Sequence, residues 1–299
     1  MLAFAQSTTS TYTRDINGRP VQGDLLTSMD GARTERNRSI NGREVPLEQV
    51  EERVLRETPS GRITERIVRK FDPSGRLAST DRIVTEEQRR PGGGLTSHST
   101  TYSSDVNGQM QESERATTEL RVQGDTRSEQ TTVERPTING AFQPAEKREV
   151  VSQTSDSTTY TTEKVYRPRA GGEFYEAVRQ VSEVKKAGDR VIENSAYYEP
   201  GVTPKLELKS QTVSTTTKRP DGSELVEKNL YERSIPGIVQ NNQAPQQVQE
   251  QQLIERKPGP GGSVLETLSV RRPSISDPRR LGDLNQISET VCRGKCAGQ

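Results

Sequence analysis

Ser157-Thr-Thr-Tyr-Thr-Thr-Glu-Lys-Val-Tyr-Arg-Pro-Arg-Ala-Gly-Gly172 is the stretch from which the fold is read. A run of Thr, Tyr and Val suits a pleated strand. Arg-Pro then punctuates its end, and the Gly pair supplies the positive φ that a tight turn demands. The same order recurs at a spacing of 32: Val133-Glu-Arg-Pro136 before Asn139-Gly140 on one side, Tyr197-Tyr-Glu-Pro200 on the other, with Leu230-Tyr-Glu-Arg233 following 33 later. Asn107-Gly108 and, further upstream, Ser74-Gly75 and Asn41-Gly42 keep this phase. Midway between them lies a second series, Gly124-Asp125, Ser155-Asp156 and Gly188-Asp189, with Asp221-Gly222 about one period on and Ser60-Gly61 in the upstream part. Two turn signals per period mean two strands per period, so the unit is a β-hairpin.

Working outward, the expected fold class is all-β: a repetitive antiparallel β-hairpin of about 32 residues, with strands of roughly 12 residues, roughly fifteen in all. These strands are expected to form an elongated sheet or a β-solenoid with a thin core. The thin core follows from composition, because Leu, Ile, Val and Phe are about 19% of the chain and aromatics 4%. In Ile63 to Phe71 one face would carry Ile63, Glu65, Ile67, Arg69 and Phe71, and the other Thr64, Arg66, Val68 and Lys70. Long Arg, Lys and Glu stems can cover such a sheet while their charged heads pair across strands.

The segments divide as follows. Residues 1–5, Met-Leu-Ala-Phe-Ala, read as the remnant of a signal peptide with Ala3 and Ala5 in an Ala-x-Ala pattern, which implies export. Residues 6–56 read as an irregular N-terminal unit in which Glu48 to Arg56 suits a helical turn or two. The hairpin array covers 57–238, a Gln/Asn-rich linker or loop 239–252, and a C-terminal capping unit with the cysteine pair 253–299. Cys292 and Cys296 suit a disulfide in an exported chain, formed within one molecule or with a neighbour. With a single histidine, His98, far away in sequence, they do not make a zinc site.

Phe71-Asp-Pro-Ser-Gly-Arg-Leu77 resembles the hairpin turn of the YD-repeat family, whose repeats wind into large hollow β-shells. The resemblance covers seven residues of 299 and implies a shared turn, not the shell or its encapsulating activity.

Chemistry is sparse. No residue pattern marks a catalytic, cofactor-binding or metal site, so no cofactor and no enzymatic activity are expected. The 43 basic and 42 acidic residues cancel to +1, which removes the argument for a nucleic-acid partner. No apolar run reaches the ~18 residues of a spanning helix, and the strands lack an alternating apolar row to face lipid, so no membrane span is expected. The functional expectation is a secreted structural protein: a subunit of an extracellular or cell-surface fibre, partnered by itself as a homopolymer. Pairing would run end to end through strands near Thr11 to Leu25 and Val264 to Val291. The alternative is a monomeric surface binding module or adhesin that uses a repeated face of Tyr102, Tyr166, Tyr198 and Tyr231 to stack on surface glycans.

Overall fold

The computed structural model describes residues 5–14, 20–30, 32–40, 43–105, 107–201, 205–232, 247–274 and 280–293. Eighteen strands are found among them: β1 Ala5–Arg14, β2 Pro20–Asp30, β3 Arg33–Ile40, β4 Arg43–Thr58, β5 Gly61–Phe71, β6 Leu77–Arg89, β7 Leu95–Ser104, β8 Met110–Gln123 and β9 Thr126–Pro136. There follow β10 Phe142–Ser155, β11 Thr158–Pro168, β12 Phe174–Ala187, β13 Arg190–Pro200, β14 Leu206–Lys218, β15 Glu224–Glu232, β16 Gln247–Pro258, β17 Val264–Arg271 and β18 Asn285–Arg293. The all-β expectation holds. The chain divides into two compact units. Unit one contains Leu25–Gln153 and Thr162–Ala177; unit two contains Ser7–Asp24, Thr154–Thr161 and the chain from Val178 on.

Each strand pairs with its neighbours in sequence, and β1 pairs with β18 as well as with β2. Thr290 Oγ1 donates to Thr9 Oγ1 at 3.0 Å across that last pairing. The ladder therefore closes on itself as an antiparallel barrel, which overturns the elongated open sheet or solenoid. The physical reason is the edge: an open sheet leaves a row of unpaired N–H and C=O groups at each end, and closure removes both rows. The strands assigned to end-to-end assembly are thus satisfied by each other within one chain. The period of 32 is the step of one strand pair along a closed ladder, not the unit of a stack.

Two other expectations give way locally. Glu48 to Arg56, read as helical turns, lies inside β4, and residues 247–252, read as linker, open β16. In both places cross-strand pairing overrides weak local preference: Val50 faces Val68, and Gln251 and Gln252 face Asn229 and Lys228. Residues 1–4 of the signal-like segment, residues 233–246 and Cys296 lie outside the described residues.

The turns follow their glycines. The N–H groups of Asp72, Asp105, Thr137, Arg169 and Arg219 each donate to the carbonyl four residues on, and Gly75, Gly108, Gly140, Gly172 and Gly222 donate back to the first residue of the same turn. Those five glycines all have φ between +77° and +82°. A type I turn closed by a left-handed glycine is a favoured three-residue hairpin connection.

A second regularity comes from bulges just after connections that follow odd-numbered strands. The register slips by one residue at Leu47, Ala78, Ser113, Ala145, Lys209 and Gln249. Each slip lies in an even-numbered strand. One extra residue reverses the alternation of faces, so side chains five apart across it point the same way. Apolar burial is small. Val68, Ala177, Val226 and Val270 are the buried hydrophobic residues among those described, beside buried Glu65, Thr96, Ser223 and Ser263.

Candidate functional site: cross-strand charge clusters and a row beside the turns

In unit one the bulges bring a row of side chains together. Leu77, Met110 and Phe142 are the first strand residues after their turns, and each is in register with the last residue of the preceding strand: Phe71, Ser104 and Pro136. Five residues on, across a bulge and therefore on the same face, stand Arg82, Arg115 and Lys147. Leu77 and Met110 remain 56% and 42% exposed. The cations reach aromatic rings on other strands: Arg115 Cζ lies 4.1 Å from the Phe142 ring centre, Lys147 Nζ 4.5 Å from that of Phe174, and Arg82 Cζ 5.6 Å from that of Tyr102. Such contacts contribute about 0.5–1 kcal/mol each at exposed sites.

Sequence reasoning missed this row. Its signal is present, since Leu77, Met110, Phe142, Phe174 and Leu206 follow one another at intervals of 33, 32, 32 and 32, and Arg82, Arg115, Lys147 and Arg179 at 33, 32 and 32. It is invisible to a search for alternation within one strand.

Beneath the row lies a charge cluster spanning β4, β5 and β6. Glu65 is 2% exposed and its carboxylate is held from both sides, by Arg53 Nε at 2.5 Å and Arg82 Nε at 2.6 Å. Next along the same face, Arg69 meets Glu51 at 3.2 Å and donates to Gln49 at 3.0 Å. Unit two builds the converse on β15, β16 and β17. Arg256, 38% exposed, lies between Glu266 at 2.7 Å and Glu224 at 3.5 Å, and Lys218 approaches Glu224 at 3.4 Å.

The four tyrosines of the expected repeated face are all half-buried. In unit one Tyr102 lies under Arg82, and Tyr166 donates its hydroxyl to Glu149 at 3.2 Å. In unit two Tyr198 is in register with Arg179 and Leu208, and Tyr231 with Gln211 and Val248. Cys292 sits on β18 opposite Val264. His98 lies on β7 with Nδ1 3.2 Å from Thr117 Oγ1. No group of acidic, histidine and cysteine side chains suited to a metal ion occurs among the described residues.

Aromatic residues gather at the same strand ends as the turns of Gly75, Gly108, Gly140 and Gly172. Phe71, Tyr102, Phe142, Tyr166, Phe174 and Tyr175 in unit one, and Tyr197, Tyr198 and Tyr231 in unit two, all lie close to a connection that follows an odd-numbered strand. Tyr160, beside the β10–β11 turn, is the exception among the described residues.

No family model matches the sequence, and no curated protein matches it. Solved structures do resemble it. A loop-deletion mutant of OmpT, an outer membrane protein of Vibrio cholerae, aligns with a TM-score of 0.54 at 10% identity, covering 98% of each chain. A mutant Rh. blastica porin aligns with a TM-score of 0.55 at 6% identity, over 98% of this chain and 100% of its own. In-vitro folded OmpT, in its trimer form, gives 0.51 at 8% identity. At these identities the likeness is one of fold. On that ground it overturns the fibre-forming homopolymer, the glycan-binding adhesin, the secreted extracellular location and the absence of a membrane span. Barrels of this type cross membranes with strands, which a search for long apolar helices does not see. Among the described residues no helix is long and apolar enough to cross a membrane.

Proposed function

We propose that the chain is a non-catalytic outer-membrane β-barrel whose interior admits polar solutes. The observation that carries this reading is the closed antiparallel ladder of eighteen strands. Connection lengths support it. In a meander the connections fall alternately at the two strand ends. Those after even-numbered strands span two to five residues, whereas the two longest, 233–246 and 272–284, both follow odd-numbered strands. Short turns at one end and long loops at the other are usual in outer-membrane barrels. Aromatic residues beside the connections that follow odd-numbered strands fit one of the two interfacial girdles of such barrels.

Charge sets a condition on this reading. On β5, Glu65 and Arg69 occupy one face and Arg62, Arg66 and Lys70 the other. A cation facing lipid at the midplane costs about 2–4 kcal/mol and far less near an interface. Insertion therefore requires the charged rows to be paired or to lie near the headgroups. Arg62 is paired, its Nε 2.6 Å from Glu87.

The test is refolding in the presence of phospholipid vesicles, followed by flotation on a density gradient and single-channel recording in planar bilayers. Co-flotation that survives a high-pH wash, with discrete conductance steps, is the expected result. A chain that remains monomeric in detergent-free buffer and does not float would overturn the reading, and the charged faces of β5 would be the reason.

A further inference from the structure

A groove of about 300 Å³ opens at the turn end of β4, β5 and β6, within unit one. Its origin is local. The register of β4 against β5 slips at Leu55, which places Arg56 opposite Ile63 and Thr58 opposite Gly61. Gly61 in turn faces Gln88 of β6. With no side chain at Gly61, the row from Thr58 to Gln88 has a gap at its centre. The gap is required by the backbone: a Cβ on Gly61 would lie 2.1 Å from the Glu87 carbonyl oxygen.

The cations of β4, β5 and β6 are unequally satisfied. Arg53 and Arg82 meet Glu65, Arg62 meets Glu87 and Arg69 meets Glu51. Arg56 lines the groove and meets no carboxylate among the described residues. Arg89, also in the lining, reaches only the Pro59 carbonyl, at 3.4 Å. On that side the Thr58 hydroxyl donates to the Gly61 carbonyl at 3.0 Å, and the Ser60 hydroxyl lies 3.2 Å from that of Thr58. Glu87 is neutralised by Arg62, so Glu86 is the one carboxylate in the lining without a cation among the described residues.

We propose that this groove is an anion-binding site, with the Arg56 guanidinium as its contact. The ligand class is a small oxyanion, phosphate or carboxylate, alone or carried on a polar molecule. A planar guanidinium with no internal partner presents a fork of N–H donors matched to such a group. Glu86 opposes a large polyanion and favours a single anionic group. The site stands whether or not the barrel inserts in a membrane.

The experiment titrates inorganic phosphate, and separately acetate, into the folded full-length chain, followed by calorimetry and by broadening of the phosphorus resonance. Arg56→Gln is compared with Arg66→Gln, which removes an exposed cation from the other face of β5 and so controls for net charge. Saturable binding that weakens roughly tenfold or more in Arg56→Gln and stays unchanged in Arg66→Gln is the expected result. Binding lost equally in both variants would reduce the effect to general charge, and no saturable binding by the unmodified chain would dismiss the site; either outcome overturns the proposal. Phosphate binding without acetate binding, or the reverse, would identify which oxyanion the groove takes.

Discussion

The two charge clusters are built from the same residue types in opposite order, and their burial differs more than their geometry. On β4–β6 a carboxylate sits between two guanidiniums and is almost wholly hidden; on β15–β17 a guanidinium sits between two carboxylates and is 38% exposed. Glutamate is short, so two Arg stems can close over it, whereas Arg256 carries its charge on a long stem that keeps contact with water. The lesson concerns what is lost on truncation. A buried charge deprived of its partners pays the full desolvation penalty, while an exposed one finds water.

The sharpest way to break this comparison is a pair of double substitutions. Arg53→Ala with Arg82→Ala should cost about 3 kcal/mol, since it strands the Glu65 carboxylate. Glu224→Ala with Glu266→Ala should cost less than about 1 kcal/mol. Denaturant midpoints at constant slope would read both. Adding Glu65→Gln to the first pair should recover most of its loss, because a neutral amide is cheaper to leave unpaired. Equal losses in the two clusters would show that burial is not the deciding variable.

The turns beside the clusters should behave alike, which sharpens the contrast. Gly75 and Gly222 have φ of +82° and +80°, and in each case the nearest atom to an added Cβ would be in a proline ring, at 3.4 and 3.5 Å, with Val45 Cγ1 at 3.7 Å from the former. Alanine at either position should therefore cost about 1 kcal/mol from backbone strain alone. A large difference between the two would mean that the proline contacts matter more than φ.

Smaller still is the ring under Arg82. Tyr102→Leu should cost about 0.5 kcal/mol and leave the Glu65 contacts in place. Double-mutant coupling between Tyr102 and Arg82 would measure it, with zero coupling as the contrary result.

The least effect is expected from the turn aspartates. Hydrogen bonds from the Ser74 hydroxyl and the Arg76 N–H hold the Asp72 carboxyl below the usual aspartate range, and the Ser223 hydroxyl and N–H do the same for Asp221. A folded-state pKa below the unfolded one gives stability that is present above the ordinary aspartate value and is lost as pH falls through the depressed one. Asp72→Asn and Asp221→Asn should each flatten the acid limb of stability slightly and leave neutral pH nearly untouched. Carboxyl carbon shifts followed from pH 6 to pH 2 should show both groups titrating below about 3.9.

Much of the local structure was legible in the sequence. Asn107-Gly108, Asn139-Gly140 and Gly171-Gly172 fall in turns whose second glycine has positive φ, and Gly124-Asp125 and Gly188-Asp189 fall in the two-residue turns at the other strand ends. The faces of β5 were legible as well, because period 2 needs only the strand itself. Closure was not. The contact of Thr9 with Thr290 joins residues 281 apart, and neither carries a signal beyond an ordinary strand preference. The row of Leu77, Met110 and Phe142 escaped for a different reason: it requires the bulges at Ala78, Ser113 and Ala145, which invert the faces that strict alternation assigns. The thin apolar content pointed away from a membrane because it was weighed strand by strand.

Closure of β1 on β18 is the claim from which the fold, the corrected assembly and the proposed function all descend. Spin labels at Thr9→Cys and Thr290→Cys, with Cys292 and Cys296 changed to serine, would measure it by electron double resonance in labelled protein diluted with unlabelled chain. A short distance that persists at every dilution is the expected result. A distance that vanishes on dilution would mean that the two strands meet in different molecules, and a long distance at all dilutions would mean that the sheet is open; either would contradict a closed barrel.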